Sequence, residues 1–156
     1  MPVVHATFVI ETTYPQPVAK VFAAFADPAK KARWYAREAG TPTGGLDMDF
    51  RVGGREHMHT TMGDKTPFPG AVLSADGIYL DIINDARIVI GSNMAMNGTP
   101  FSGSLLCFEF DGDGDGTRLT VTHDGAFFEH ADGPKMREDG WKTLLDRLEE
   151  SLGESL

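Results

Sequence analysis

The 156-residue chain has one cysteine, Cys107, two tryptophans and no long apolar run. A single thiol excludes an internal disulfide framework and any cysteine-rich zinc site. The longest uninterrupted apolar stretch, Val21 to Ala26, falls far short of the roughly 20 residues that span a bilayer. Basic residues are scarce as well: 14 Lys and Arg stand against 23 Asp and Glu, giving a net charge of −9. Such a balance repels phosphate backbones and anionic bilayers, so neither nucleic-acid binding nor membrane insertion is expected. No P-loop, Rossmann fingerprint, H-E-x-x-H or G-x-S-x-G pattern occurs. Nucleotide, zinc-protease and nucleophile-elbow chemistry are therefore without support. The first residues, Met1 to His5, lack the basic and apolar regions of a secretory signal, and the expected compartment is the cytoplasm.

What is present describes a packed globule. Hydrophobic residues make up 41% and charged residues 24% of the chain, which fits a folded core. A chain of this length buries enough surface to fold without metal or disulfide, and no cofactor is expected. Eighteen glycines and nine prolines favour many short strands. No repeat or linker interrupts residues 1–156, so one domain is expected.

Ala6 to Tyr14 alternates, with Phe8, Ile10, Thr12 and Tyr14 on one face, and predicts a half-buried strand. Pro15 and Pro17 end it. Val18, Val21, Phe22 and Phe25 then follow the spacing of an amphipathic helix. Asp27-Pro28 has the form of an N-cap with proline at the first helical position, opening a second short helix that carries Trp34 and Tyr35. From Gly44 the period becomes two, and strands are expected near 46–52, 54–62, 71–81, 87–95, 103–111 and 117–124. Ser104–Phe110 and Thr117–His123 form the clearest hairpin, joined by the glycine–aspartate run Asp111 to Gly116. After Pro134, the stripe Trp141, Leu144, Leu145, Leu148 and Leu152 predicts a helix of about 27 Å, long enough to cross a sheet. The expected fold is α+β: an antiparallel sheet curved around the long C-terminal helix, with a cavity between them.

The order of these elements resembles a known family. The carrying residues are Tyr14 to Phe22, Ala26-Asp27-Pro28 with Trp34, Asp49 to Arg55, Gly77 to Ile82, Arg87-Ile88-Val89, Gly116 to His123, and Gly140-Trp141 through Leu144 and Leu148. This resembles the SRPBCC superfamily (START and birch-pollen-allergen-like helix-grip proteins), in the branch homologous to the activator of the heat-shock-protein-90 ATPase. The resemblance covers about residues 6 to 152. It implies a helix-grip fold with a hydrophobic cavity, and a family whose members bind lipids, hormones or polyketides, act as cyclases, hydrolases or dehydratases, or assist a chaperone. Fold is implied more firmly than function.

Several residues invite a chemical role. Asp111, Asp113 and Asp115 with Gly116 imitate the start of a calcium loop, but Thr122 stands where the bidentate glutamate belongs and strands flank the run. His57 and His59 share one strand face, yet Glu56 falls on the other, so no third zinc ligand is at hand and no metal is expected. Cys107, within Leu105 to Phe108, is expected to be a buried strand residue. His123 shares a face with Leu119 and Val121; it is either a structural histidine or a polar contact in the pocket, the one candidate for proton transfer. Arg55 and Asp81 are polar candidates whose faces alternation does not decide. Lys30, Lys31, Arg33 and Arg37 are expected to form a solvated helix face.

The expected cavity lining is Trp34, Tyr35, Phe108, Leu119, Val121, His123, Trp141, Leu144, Leu145 and Leu148, with Met58, Met62, Met94 and Met96 adding adaptable surface. A small hydrophobic or amphipathic ligand is the expected partner. The alternatives are a cavity enzyme of cyclase, hydrolase or dehydratase type and, from the family branch alone, a chaperone accessory protein. The outer face and edges of a curved sheet also make a homodimer an expectation.

Overall fold

In the computed structural model, which describes residues 2–36, 38, 40–41 and 43–154, the first alternating segment forms β1 (Val4–Tyr14). Phe8, Ile10 and Tyr14 are buried on one face of it. Two helices follow, α1 (Val18–Ala26) and α2 (Pro28–Tyr35). Six strands come next: β2 (Leu46–Met48), β3 (Arg55–Thr61), β4 (Val72–Ile83), β5 (Arg87–Met96), β6 (Thr99–Asp113) and β7 (Gly116–Phe127). The chain closes with α3 (Pro134–Gly153), whose 20 residues extend about 30 Å. This is the expected order of one strand, two helices, six strands and a helix.

The strands make one antiparallel sheet in the order β1-β7-β6-β5-β4-β3-β2. Consecutive strands from β2 to β7 are neighbours, whereas β1 and β2 occupy opposite edges. The segment joining them must therefore cross the sheet, and α1 and α2 form that crossing. Bulges between Tyr79 and Asp81 and between Met94 and Ala95 bend the middle strands.

Local chemistry fixes the two short helices. Asp27 ends α1 and caps α2, its Oδ1 accepting from the Ala29 N–H at 2.9 Å and the Lys30 N–H at 3.4 Å. The Trp34 indole then donates to the Ala24 carbonyl at 2.9 Å, binding α2 back onto α1. Beneath them lies an aromatic cluster in which Phe25 meets Trp34, Phe108 and Phe110 at ring separations of 4.8, 5.1 and 5.2 Å. Trp141, Leu145, Leu148 and Leu152 of α3 pack into the same core. The Tyr14 hydroxyl donates to the Leu145 carbonyl at 3.1 Å, joining α3 to β1.

Several strand boundaries differ from expectation: β6 begins at Thr99 rather than 103 and β7 runs to Phe127 rather than 124, and two further differences have local causes. The run Asp111 to Gly116 is not a long loop: Asp111 pairs with Arg118 and Asp113 with Gly116, so the hairpin turns at Gly114 and Asp115 alone. Gly114 takes a φ of +60°, which a glycine adopts without strain, and the ladder extends past the polar residues because main-chain pairing does not need apolar side chains. β2 stops at Met48 rather than running to 52, because Asp49 to Gly54 folds into a tight turn. A Cβ at Gly54 would stand 2.0 Å from the Asp49 carbonyl oxygen, so only glycine closes it.

Leu148 has no exposed surface and sits where α3 meets the aromatic cluster. Leu148→Ala is expected to lower unfolding free energy by about 2–5 kcal/mol, measured by urea titration.

Candidate functional site

The inner face of the sheet is unevenly filled. On β1, β6 and β7 it carries Phe8, Ile10, Phe108, Phe110, Leu119 and Val121, all buried against the helices. Toward one end of β3, β4 and β5, away from the buried Tyr79, Ile88 and Ile90, the fill is thinner, with Ala75 on the sheet, Ala36 just past α2, and the exposed Gly140 on α3. A Cβ added at Gly140 would meet no atom within 4 Å. The result is a cavity of about 520 Å³. α2 and the residue after it contribute Tyr35 and Ala36; the strands contribute Met58, Thr60, Leu73 and Met94. The opposite wall is α3, with Met136, Arg137, Gly140, Trp141, Leu144 and Arg147, and Asp132 just ahead of it.

Of the expected lining, Tyr35, Trp141 and Leu144 border this cavity. Tyr35 and Trp141 stack at a centroid separation of 6.1 Å. Trp34, Phe108, Leu119, Val121, Leu145 and Leu148 lie instead within the packed core, because the half of the sheet they face is filled by large side chains. Met58 and Met94 line the cavity, whereas Met62 and Met96 do not.

His123 is wholly buried behind Arg137, whose Nη1 lies 3.5 Å from its Nε2. Its ring stacks on Phe8 at 4.6 Å, and its Nδ1 has no hydrogen-bond partner among the described residues. Burial, and then the Arg137 charge, push its pKa down to about 4. A neutral ring can accept from the guanidinium; a protonated one would set two cations together. Arg137 is itself held by Asp132, through Nε at 2.8 Å and Nη2 at 2.9 Å, and donates from Nη2 to Ser102 Oγ at 2.8 Å.

A second buried ion pair stands beside Tyr35. Lys31, expected on a solvated face, is buried: its ammonium bonds Glu56 Oε1, and both side chains are 7% exposed. The same oxygen accepts from the Tyr79 hydroxyl at 2.7 Å. Lys31 also lies 4.6 Å over the Tyr35 ring. Burial, followed by the Glu56 charge, raises the pKa of both Tyr35 and Tyr79, so both phenols stay protonated. Lys31 turns inward because α2 lies across the sheet, leaving Glu56 on β3 in need of a cation. Arg37 lies outside the described residues.

The other candidates do not line the cavity. His57 and His59 share the outer face with rings 5.8 Å apart, and His57 Nδ1 meets Asp76 Oδ1 at 2.7 Å. Among the described residues no three His, Cys, Asp or Glu side chains converge as a metal site. Asp81 pairs with Arg87, and Arg55 is exposed. Cys107 is half-buried, and desolvation raises its thiol pKa, which disfavours the reactive thiolate. Lys31, Glu56, Arg137 and Arg147 were not marked by motif. Periodicity carried a signal for two of them: Glu56 alternates in phase with Met58, and Arg137 precedes Trp141 by one helical turn.

Removing Lys31 alone strands a buried carboxylate. Lys31→Met is expected to cost roughly 3–5 kcal/mol, and the double variant Lys31→Met/Glu56→Leu to recover most of it. Paired urea titrations measure both. The His123 site predicts an acid effect. The unfolded chain takes up this proton near pH 6.5 and the folded one only near pH 4, so stability is full above pH 6.5 and lost on acidification toward pH 4. The loss attributable to His123 is about 3 kcal/mol. His123→Phe, which keeps the ring stacking, is expected to flatten the stability profile between those pH values.

Comparison with known proteins fits this architecture. The family model described as activator of Hsp90 ATPase homolog 1-like protein matches residues 15–153. The crystal structure of Mll3558 from Rhizobium loti is 42% identical, with a TM-score of 0.86 over 97% of this chain and 99% of that one. A putative uncharacterized protein from Rhizobium leguminosarum is 32% identical, with a TM-score of 0.87 over 97% and 96%. An AHSA1-like protein from Aeromonas hydrophila, 23% identical with a TM-score of 0.68 over 94% and 92%, shares the fold. No curated protein matches the chain. No helix among the described residues is long and apolar enough to cross a membrane. The chain belongs to the activator of Hsp90 ATPase homolog 1-like family.

Proposed function

We propose that this member of the family binds a small amphipathic ligand in the cavity between the middle strands and α3. The observation that carries the reading is the cavity itself, about 520 Å³ and walled mainly by apolar side chains of the middle strands and α3. Gly140, exposed at the rim on α3, leaves that side of the mouth without a side chain, at a helix-propensity cost of about 1 kcal/mol relative to alanine. The volume of about 520 Å³ falls within the usual size of a small-molecule site. The walls have the usual character too: Met58, Met94, Leu73, Leu144 and Trp141 supply apolar surface, and a few polar groups stand among them. Met58 and Met94 are flexible side chains that adapt to the shape of a guest.

Gly140→Ala is expected to stabilise the protein by about 0.5–1 kcal/mol while leaving most of the cavity open. Gly140→Phe sets a large ring at the mouth and obstructs entry. Native mass spectrometry of the purified protein is the test: the wild type is expected to carry extra mass that leaves on denaturation, and Gly140→Phe to carry none. A modified ligand in the extract would identify turnover. A wild-type mass that stays bare even after incubation with medium-chain amphipaths contradicts the reading.

A further inference from the structure

Three charged side chains border the cavity, Asp132, Arg137 and Arg147. Two of them cancel, because Asp132 receives both Nε and Nη2 of Arg137. Arg147 is different. It is half-buried on the cavity wall, and it makes no ion pair or hydrogen bond among the described residues. This occurs on a chain with 23 acidic residues, three of which, Asp146, Glu149 and Glu150, are its near neighbours in sequence and exposed. The wall around the cavity thus carries one uncompensated positive charge on a protein whose net charge is −9.

The helical positions give this charge a direction. Arg147 follows Leu144 by three residues and Gly140 by seven, so the three lie along one face of α3. From Arg137 to Arg147 the helix rises roughly 15 Å. A cation at one end, an apolar track past Leu144, Trp141 and Gly140, and an already neutralised pair at the other end complement a molecule with one anionic head and an apolar body. A guanidinium with unused donors recognises a carboxylate through two parallel hydrogen bonds.

We propose that the ligand of this cavity is an amphipathic carboxylic acid, with its carboxylate held by Arg147 and its apolar part lying along Leu144, Trp141 and Gly140. This rests on the binding reading above. The test compares decanoate with decanol, which share a chain and differ in the head group, by isothermal titration calorimetry on wild type, Arg147→Gln and Arg147→Lys. The wild type is expected to bind decanoate roughly tenfold or more tighter than decanol. Arg147→Gln is expected to reduce decanoate to the level of decanol without weakening decanol, whose retained binding also reports an intact fold. Arg147→Lys keeps part of the preference. Equal wild-type affinity for the two probes, or an undiminished preference in Arg147→Gln, overturns the carboxylate assignment and leaves the cavity reading standing. Failure of both probes to bind the wild type overturns both.

Discussion

The structure depends on one mismatch: a seven-stranded sheet is wider than the layer of helices available to cover it. α3 packs on β1 and on the two short helices, and the large residues Phe8, Phe108, Phe110 and Leu119 fill the space beneath it. On β4 and β5, Tyr79, Ile88 and Ile90 continue that filling, and the gap opens only where Met58, Thr60, Leu73, Ala75 and Met94 face the helix; the sheet bends at two bulges. Hydrophobic burial therefore closes one half of the concave face and leaves the other open. Close packing elsewhere keeps that opening from collapsing, because the core that positions α3 cannot shift without losing its own contacts.

Two ion pairs stand at the borders of this space. Lys31 and Glu56 join α2 to β3, and Tyr79 completes the shell around the carboxylate. Arg137 and Asp132 fix the first turn of α3 against β6 and β7 through Ser102 and His123. Buried pairs of this kind contribute little net stability, since desolvating two charges offsets most of their attraction. Their effect here is geometric. Each ties a helix to the sheet beside the cavity, where apolar contacts are few, and each satisfies its own charge. Arg147 remains as the charged wall residue whose donors point to no partner among the described residues.

The fold was legible in the sequence because strong local signals agreed with one another. Alternation in β1, the Asp27-Pro28 cap and the leucine stripe of α3 each arise from one-dimensional spacing. The cavity wall was less legible. Leu145 and Leu148 look no different from Leu144 in a helical stripe, yet only Leu144 faces the cavity, because the distinction depends on which half of the sheet lies opposite. Lys31 shows the same limit: a basic cluster on a short helix resembles a solvated face until the crossing helix brings it over Glu56. The hairpin at Gly114 failed expectation for a different reason, since backbone pairing continues through polar residues that leave no hydrophobic trace.

Methionine methyls give the most direct view of whether the open half of the concave face receives a ligand. The chain has seven methionines. Met58, Met94 and Met136 border the cavity, while Met62 and Met96 lie outside its wall. Carbon–proton correlation spectra of ¹³C-methyl-methionine protein, titrated with decanoate, should show saturable shifts at Met58, Met94 and Met136 while Met62 and Met96 stay in place. A titration that moves none of the three cavity methyls, or that moves only Met62 and Met96, would contradict the account.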